Sequence, residues 1–392
     1  MPAEQLSYVL VTPYSIRKSR TGGILSRLIS RTGLDLVRAR MFAPSQELAA
    51  AYAEMAVTEP DNARHRATQE RIRDYILKNF APNAKGQRRR TLLLVFRGPD
   101  AVAKVMSAVG HIVNERTSGE TIRDTYGDYM ADADGKVIYF EPAVLTAPDA
   151  ASAEKALKLW ARYSESDGGL LEDIITYPAD AKVEKTLVLI KPDNFRFPNA
   201  RPGGVLDVFS RTGLSIIGFK VHQMSVAEAE EFYGPVLAFL QEKFKEPAGK
   251  RSRVAIEREL GFSLDDATEK KIGEIVGPEF GRDNWEAIVE FMAGRRPSQT
   301  PANERDLPGD RKIIAIIYQG VDAVKKIREV LGPTDPSKAP SGTIRKEFGN
   351  SIMVNAAHAS DSPESAAREM PIVGIQKNNL RPLIEETYGS IH

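Results

Sequence analysis

A histidine stands between alanines in Asn355-Ala356-Ala357-His358-Ala359-Ser360-Asp361-Ser362, and Glu369 follows downstream. Small neighbours leave the His358 ring open to a large charged group. The Ser-Asp-Ser-Pro-Glu stretch reads as a helix start. Ser360 or Ser362 would cap it, Pro363 suits the first turn, and acidic residues suit the positive end. That helix would carry Glu369 back towards the ring. A carboxylate on one imidazole nitrogen fixes the tautomer and leaves the other nitrogen as a nucleophile. The competing reading is a histidine packed for structure alone.

The residues upstream favour chemistry. Lys191 ends the apolar run Leu187-Val188-Leu189-Ile190 and opens Lys191-Pro192-Asp193. Arg328 precedes Gly332-Pro333-Thr334, and Arg345 closes Gly342-Thr343-Ile344-Arg345. With Asn355, these side chains are what a polyphosphate requires. Guanidinium groups clamp phosphate oxygens through paired bonds, and lysine supplies a point charge. Phosphoryl transfer is catalysed largely by positioning and by neutralising charge on the oxygens in flight.

In order along the chain, the Lys-Pro-Asp turn, the Arg…Leu-Gly-x-Thr…Gly-Thr-Ile-Arg block and the Asn-x-x-His-x-Ser-Asp-Ser…Glu block resemble nucleoside diphosphate kinase over roughly 181–375. The resemblance implies that His358 is phosphorylated and that Ser360 and Glu369 orient it. It implies that Lys191, Arg328, Thr334, Arg345 and Asn355 bind phosphates and ribose. Tyr233 fits the family's active-site tyrosine, and Trp285 aligns with the aromatic that stacks on the base. The chain departs from the family at Ala359 and Met353, where glycines are usual, and at Pro235, where an acidic residue is expected.

The expected reaction passes the γ-phosphoryl group of a nucleoside triphosphate to a nucleoside diphosphate through phospho-His358, with ping-pong kinetics. Magnesium is expected to enter with the nucleotide and bridge its phosphate oxygens, with no metal site of the chain's own. The alternatives are a nucleotide-binding regulatory protein and a protein-histidine phosphotransfer role.

The elements that must position these residues occur twice. Tyr8-Val9-Leu10-Val11-Thr12-Pro13 corresponds to Leu187-Val188-Leu189-Ile190-Lys191-Pro192, and Gly22-Gly23-Ile24-Leu25 to Gly203-Gly204-Val205-Leu206. Asp100-Ala101-Val102 matches Asp322-Ala323-Val324, and Thr121-Ile122-Arg123 matches Thr343-Ile344-Arg345. Each copy alternates strands and helices, predicting two ferredoxin-like βαββαβ domains in tandem (α/β, or α+β). The boundary is placed near 180, giving domains 1–180 and 181–392. The first copy loses the chemistry: Thr12 stands for Lys191, Met106 for Arg328, Ile112 for Thr334 and Leu145 for His358.

Two inserts distinguish the second copy. Residues 243–282 predict a helix that starts at Ser263-Leu264-Asp265-Asp266 and ends at Gly277-Pro278. Leu264, Ile272, Ile275 and Val276 would form its apolar side. Residues 295–311 read as a surface loop.

The 392 residues suffice for two domains, and 54 basic against 53 acidic side chains leave no global field for nucleic acid or an anionic membrane. Cysteine is absent, excluding disulfides and thiolate chemistry. No apolar run is long enough to cross a bilayer, and no secretory signal is read, so a cytoplasmic location is expected. Two domains per chain suggest a homo-oligomer, a dimer or trimer.

Overall fold

A computed structural model describes residues 4–57, 63–112, 119–134 and 137–391. Its strands are β1 (Glu4–Val11), β2 (Asp35–Phe42), β3 (Thr91–Pro99), β4 (Asp128–Ala131), β5 (Val137–Glu141) and β6 (Val144–Leu145) in the first half of the chain. The second half adds β7 (Val183–Ile190), β8 (Ser215–His222), β9 (Ile313–Val321) and β10 (Ala357–Ala359). One sheet runs β2-β3-β1-β6 and another β10-β7-β9-β8, while β4 and β5 pair separately. Numbered within its own copy, each four-stranded sheet reads 4-1-3-2, the ferredoxin-like arrangement. The central strands β1 and β7 are apolar and buried along most of their length because each is paired on both edges.

The described chain divides into two compact units, 1–222 with 314–392 and 223–313. The first unit holds both sheets on one continuous core, with Val9, Ile24, Leu94 and Val105 joining Val188, Phe209, Ile316 and Ile327. Helices Thr21–Thr32 and Arg201–Ser210 pack against each other. Glycines set their closeness: a Cβ on Gly203 would lie 2.3 Å from the Gly22 carbonyl oxygen. The outer strands β2 and β8 also meet, and Asn379 ties them, accepting from Arg38 Nε at 2.7 Å and donating to the Val221 carbonyl at 2.9 Å. The C-terminal helix Leu380–Tyr388 buries Leu380, Leu383 and Ile384 in a second core with Leu6, Tyr8 and Trp160.

The second unit is built on helices Val226–Lys243, Lys245–Leu260 and Asp266–Ala293. Asp265 caps the last, accepting from the Thr268 amide at 2.7 Å. The predicted end at Gly277-Pro278 is incorrect: the helix continues to Gly294, which turns out of it at φ 86°. Packing explains the continuation. A Cβ on Gly273 or Gly277 would come within 2.4 Å of Lys245 backbone atoms, and one on Gly281 within 2.5 Å of Gln241 Cα. The glycines let the helices touch along their backbones, which offsets the bond lost at Pro278. This glycine stripe is the buried face, whereas Ile275 and Val276, expected on the apolar side, are exposed. Lys245, Lys250 and Arg253 of the insert form ion pairs, with Arg253 reaching Glu257, Asp266 and Glu269 at 2.7–3.0 Å. Residues 295–311 form two short 3-10 turns joined by irregular chain. No helix among the described residues is long and apolar enough to cross a membrane.

Candidate active site

The short strand β10 carries His358 opposite Leu189 of β7, at the end of β7 that leads into Lys191. Ala356, just before it, holds φ 69°, a conformation a side chain resists. The Lys-Pro-Asp turn compensates for it. The Ala356 amide donates to Asp193 Oδ2 at 3.2 Å, and its carbonyl accepts from the Lys191 amide at 2.9 Å and from Asn194 Nδ2 at 2.8 Å. This brace fixes the strand that presents the histidine.

The imidazole is partly exposed, and its Nε2 lies 2.9 Å from Glu369 Oε2. Ser360 Oγ donates to the same oxygen at 2.8 Å, and Arg368 holds the other carboxylate oxygen at 3.0 Å. Glu369 arrives from the helix Pro363–Val373, whose N-terminal cap is Ser362, accepting from the Ser365 amide at 3.1 Å. Of the two serines that could cap this helix, Ser362 does so, and Ser360 serves the carboxylate.

Lys191, Asn355 and Thr334 form a chain of contacts. Lys191 Nζ donates to Asn355 Oδ1 at 2.9 Å and to the Met353 carbonyl at 2.5 Å. Asn355 Nδ2 donates to the Thr334 carbonyl at 3.1 Å. Burial, with Arg345 nearby, pushes the Lys191 amine down to about 8, against the pull of Asp193. Arg345 is buried and donates to the Gly332 carbonyl at 3.0 Å and to the Ala357 carbonyl, beside His358, at 3.3 Å. Arg328 lies exposed on the helix Ala323–Leu331, lining a depression with Asp361. Ser365 holds the Asp361 carboxyl below its ordinary range, and Arg328 and His358 reinforce the effect.

The first unit therefore brings together His358, Ser360, Glu369, Lys191, Arg328, Thr334, Arg345 and Asn355. Tyr233 and Trp285 belong to the second unit, where the buried Trp285 indole donates to the Tyr233 carbonyl at 2.9 Å. The sequence assigns no role to Asp193, Asn194 or Arg368, and to Asp361 only one at the start of the helix. Asp193 was visible inside the Lys-Pro-Asp motif, but its use depends on the φ of Ala356, which an alanine does not announce.

Chemically, the arrangement is an approachable imidazole, oriented by a buried carboxylate and flanked by three cations. The family model described as nucleoside diphosphate kinase matches residues 308–377, which include Arg328, Thr334, Arg345, Asn355, His358 and Glu369. The nucleoside diphosphate kinase of Pyrobaculum aerophilum is 30% identical over 198 residues, covering 48% of this chain and 93% of the relative. That of Staphylothermus marinus is 30% identical over 190 residues, covering 48% and 92%. Among solved structures, an NDP kinase from Pyrobaculum aerophilum aligns at 30% identity with a TM-score of 0.33, covering 48% of this chain and 94% of that one. With two such relatives matched over nearly their whole lengths, the chain belongs to the nucleoside diphosphate kinase family.

Proposed function

We propose that the chain transfers the γ-phosphoryl group of a nucleoside triphosphate to a nucleoside diphosphate through a phosphohistidine at His358. The observation that carries this reading is the His358–Glu369–Ser360 constellation. Because Glu369 takes Nε2, attack falls to Nδ1. The Nδ1 lone pair forms a bond to the γ-phosphorus as the bond to the bridging oxygen breaks, and the electron pair leaves with the diphosphate. The terminal oxygen of an incoming diphosphate then attacks the same phosphorus and returns the pair to Nδ1. Glu369 stabilises the positive charge that the ring carries between the steps, and Ser360 and Arg368 hold the carboxylate in place.

Lys191, Arg328 and Arg345 neutralise the phosphate oxygens, and Asn355 and Thr334 position them with the ribose. Magnesium comes as part of the nucleotide substrate. Its charge would be shared with the phosphate oxygens that it accompanies. In this reading 181–392 is the catalytic copy. Residues 1–180 form a copy without turnover that covers the face a second subunit would otherwise cover.

Brief incubation with ATP and magnesium should leave one acid-labile, alkali-stable phosphate per chain. His358→Ala should abolish both labelling and transfer to GDP. Exchange at the parent rate in that variant would overturn the assignment.

A further inference from the structure

The first copy contains a cavity of about 790 Å³ that borders its own degenerate site through Pro13 and through Glu141, the partner of Thr12. It lies among the turn Pro13–Arg17, the helix Ala63–Asn79, residues 83–90, β5 and residues 174–176. Thr12, Met106, Arg123 and Leu145, the counterparts of the catalytic residues, are not on its wall. The cations on the wall are Arg17, Arg71, Lys78, Arg88, Arg89 and Arg90, and the carboxylates are Asp74 and Glu141. Both carboxylates are engaged. Asp74 accepts from Arg73 at 2.9 Å, and Glu141 accepts from Tyr75 at 2.7 Å and from Thr12 at 3.0 Å. The chain as a whole carries a net charge of only +1, so the concentration is local.

Three of the cationic heads are also pre-set. Arg89 donates to the Lys78 carbonyl at 2.6 Å and Arg90 to the Ile216 carbonyl at 2.5 Å. Arg88 reaches the Ala43 carbonyl at 3.3 Å and Asp167 at 3.5 Å. A guanidinium has five donors, so these anchors fix the groups without exhausting them. Gathering like charges in one concavity costs energy that a multiply charged anion recovers. The volume falls in the range of small-molecule sites, roughly 300–1,000 Å³.

We infer that this cavity binds a small polyphosphorylated anion, at a site separate from the one that carries His358. The inference does not depend on turnover at His358. The arginine run Arg88-Arg89-Arg90 was its signal in the sequence, unremarkable while residues 83–90 could not be placed beside Arg17 and Arg71.

The test is calorimetric titration of the full chain with inorganic tripolyphosphate, in parallel with Arg328→Ala and with Arg71→Ser/Lys78→Ser. Binding in the cavity should survive Arg328→Ala and weaken by about tenfold or more in the double variant, in keeping with the loss of charge-assisted contacts. The double variant should keep the parent melting temperature and the parent rate of His358 labelling, since both side chains lie outside the catalytic copy. Three results would overturn the site: tripolyphosphate binding that disappears with Arg328→Ala, unchanged affinity in the double variant, or retention of a single-stranded oligonucleotide but not tripolyphosphate. Failure to label His358 would remove the proposed phosphotransfer and leave this titration intact.

Discussion

Leu145 occupies in the first sheet the place that His358 occupies in the second. Leu145 pairs with Leu10 of β1, and His358 pairs with Leu189 of β7. The preceding bend is kept as well, with Ala143 at φ 61° and Ala356 at φ 69°. Arg123 donates to the Gly110 and Val144 carbonyls as Arg345 does to those of Gly332 and Ala357. What differs is the charge around the position: Thr12 replaces Lys191, and its hydroxyl is spent on Glu141. Leu145→His should therefore add an imidazole and no activity. Phosphate incorporation, read by intact mass, should stay at one per chain. A second acid-labile phosphate in Leu145→His would show that the first copy still assembles a transfer site.

The shared carboxylate oxygen between His358 and Ser360 predicts a graded pair of variants. Glu369→Gln keeps the shape but loses the charge that supports the ring, at about 2 kcal/mol or about thirtyfold in kcat. Ser360→Ala removes one neutral donor and should cost about 1 kcal/mol. Both losses belong in kcat with KM nearly unchanged, because neither side chain is proposed to touch the nucleotide. Steady-state kinetics decide it, and a loss confined to KM would place Glu369 among binding groups instead.

Lys191 sets an alkaline limit. With its amine pushed down to about 8, it is charged below that pH and loses its charge as pH rises through it. The cation is the binding form, so kcat/KM, which reports the free enzyme, should fall above about pH 8. Lys191→Arg stays charged throughout. Whatever its absolute rate, its kcat/KM should stay flat where the parent declines. A parallel decline in both proteins would assign that limb to another group.

Much of this was legible before folding. The apolar run Leu187-Val188-Leu189-Ile190 marked β7 and the Ser-Asp-Ser-Pro-Glu start marked the helix Pro363–Val373, because one has a strong pattern and the other a cap. Lys191, Asn355 and His358 come together because β7 and β10 are neighbours in one sheet, while Arg328, Arg345 and Glu369 are carried there by helices. The helix Asp266–Ala293 was misread because Gly-Pro is a stop signal only where no neighbour rewards a bare backbone, and here Lys245 and Gln241 lie against Gly277 and Gly281. The shared oxygen on Glu369 was not readable either, since it needs the helix angle as well as the spacing.

Arg328 and Lys325 lie on the same helix and should behave differently. Both line the depression that contains Asp361, but only Arg328 contributes to the charge felt by that carboxylate. Lys325 is exposed and sits 4.0 Å from Glu329, one turn along. Arg328→Ala should lose roughly 3 kcal/mol of transition-state stabilisation, the scale for a preorganised donor. Lys325→Ala should lose under about 0.5 kcal/mol, as an exposed pair does. Equal losses in kcat/KM would mean that the opposite side of the helix faces the phosphates.

The junction of the two copies makes the last prediction, because adjacent glycines there have opposite surroundings. A Cβ on Gly203 would meet the backbone of the facing helix, with Ser26 N at 2.4 Å and Gly22 O at 2.3 Å. Backbone cannot rotate away, so Gly203→Ala must separate the helices Thr21–Thr32 and Arg201–Ser210 and disturb the core they cover. Overpacking of this kind costs about 1–3 kcal/mol. A Cβ on Gly204 meets only the Phe348 ring, at 3.2 Å, and a ring can shift by tenths of an ångström. There the gain in helix propensity, about 1 kcal/mol, offsets the tight contact. Gly203→Ala should thus lower the midpoint of thermal unfolding by several degrees while Gly204→Ala leaves it near the parent value. If the two variants melt together, the packing of one copy on the other does not depend on this crossing, and the first copy's role as an internal partner loses its structural basis.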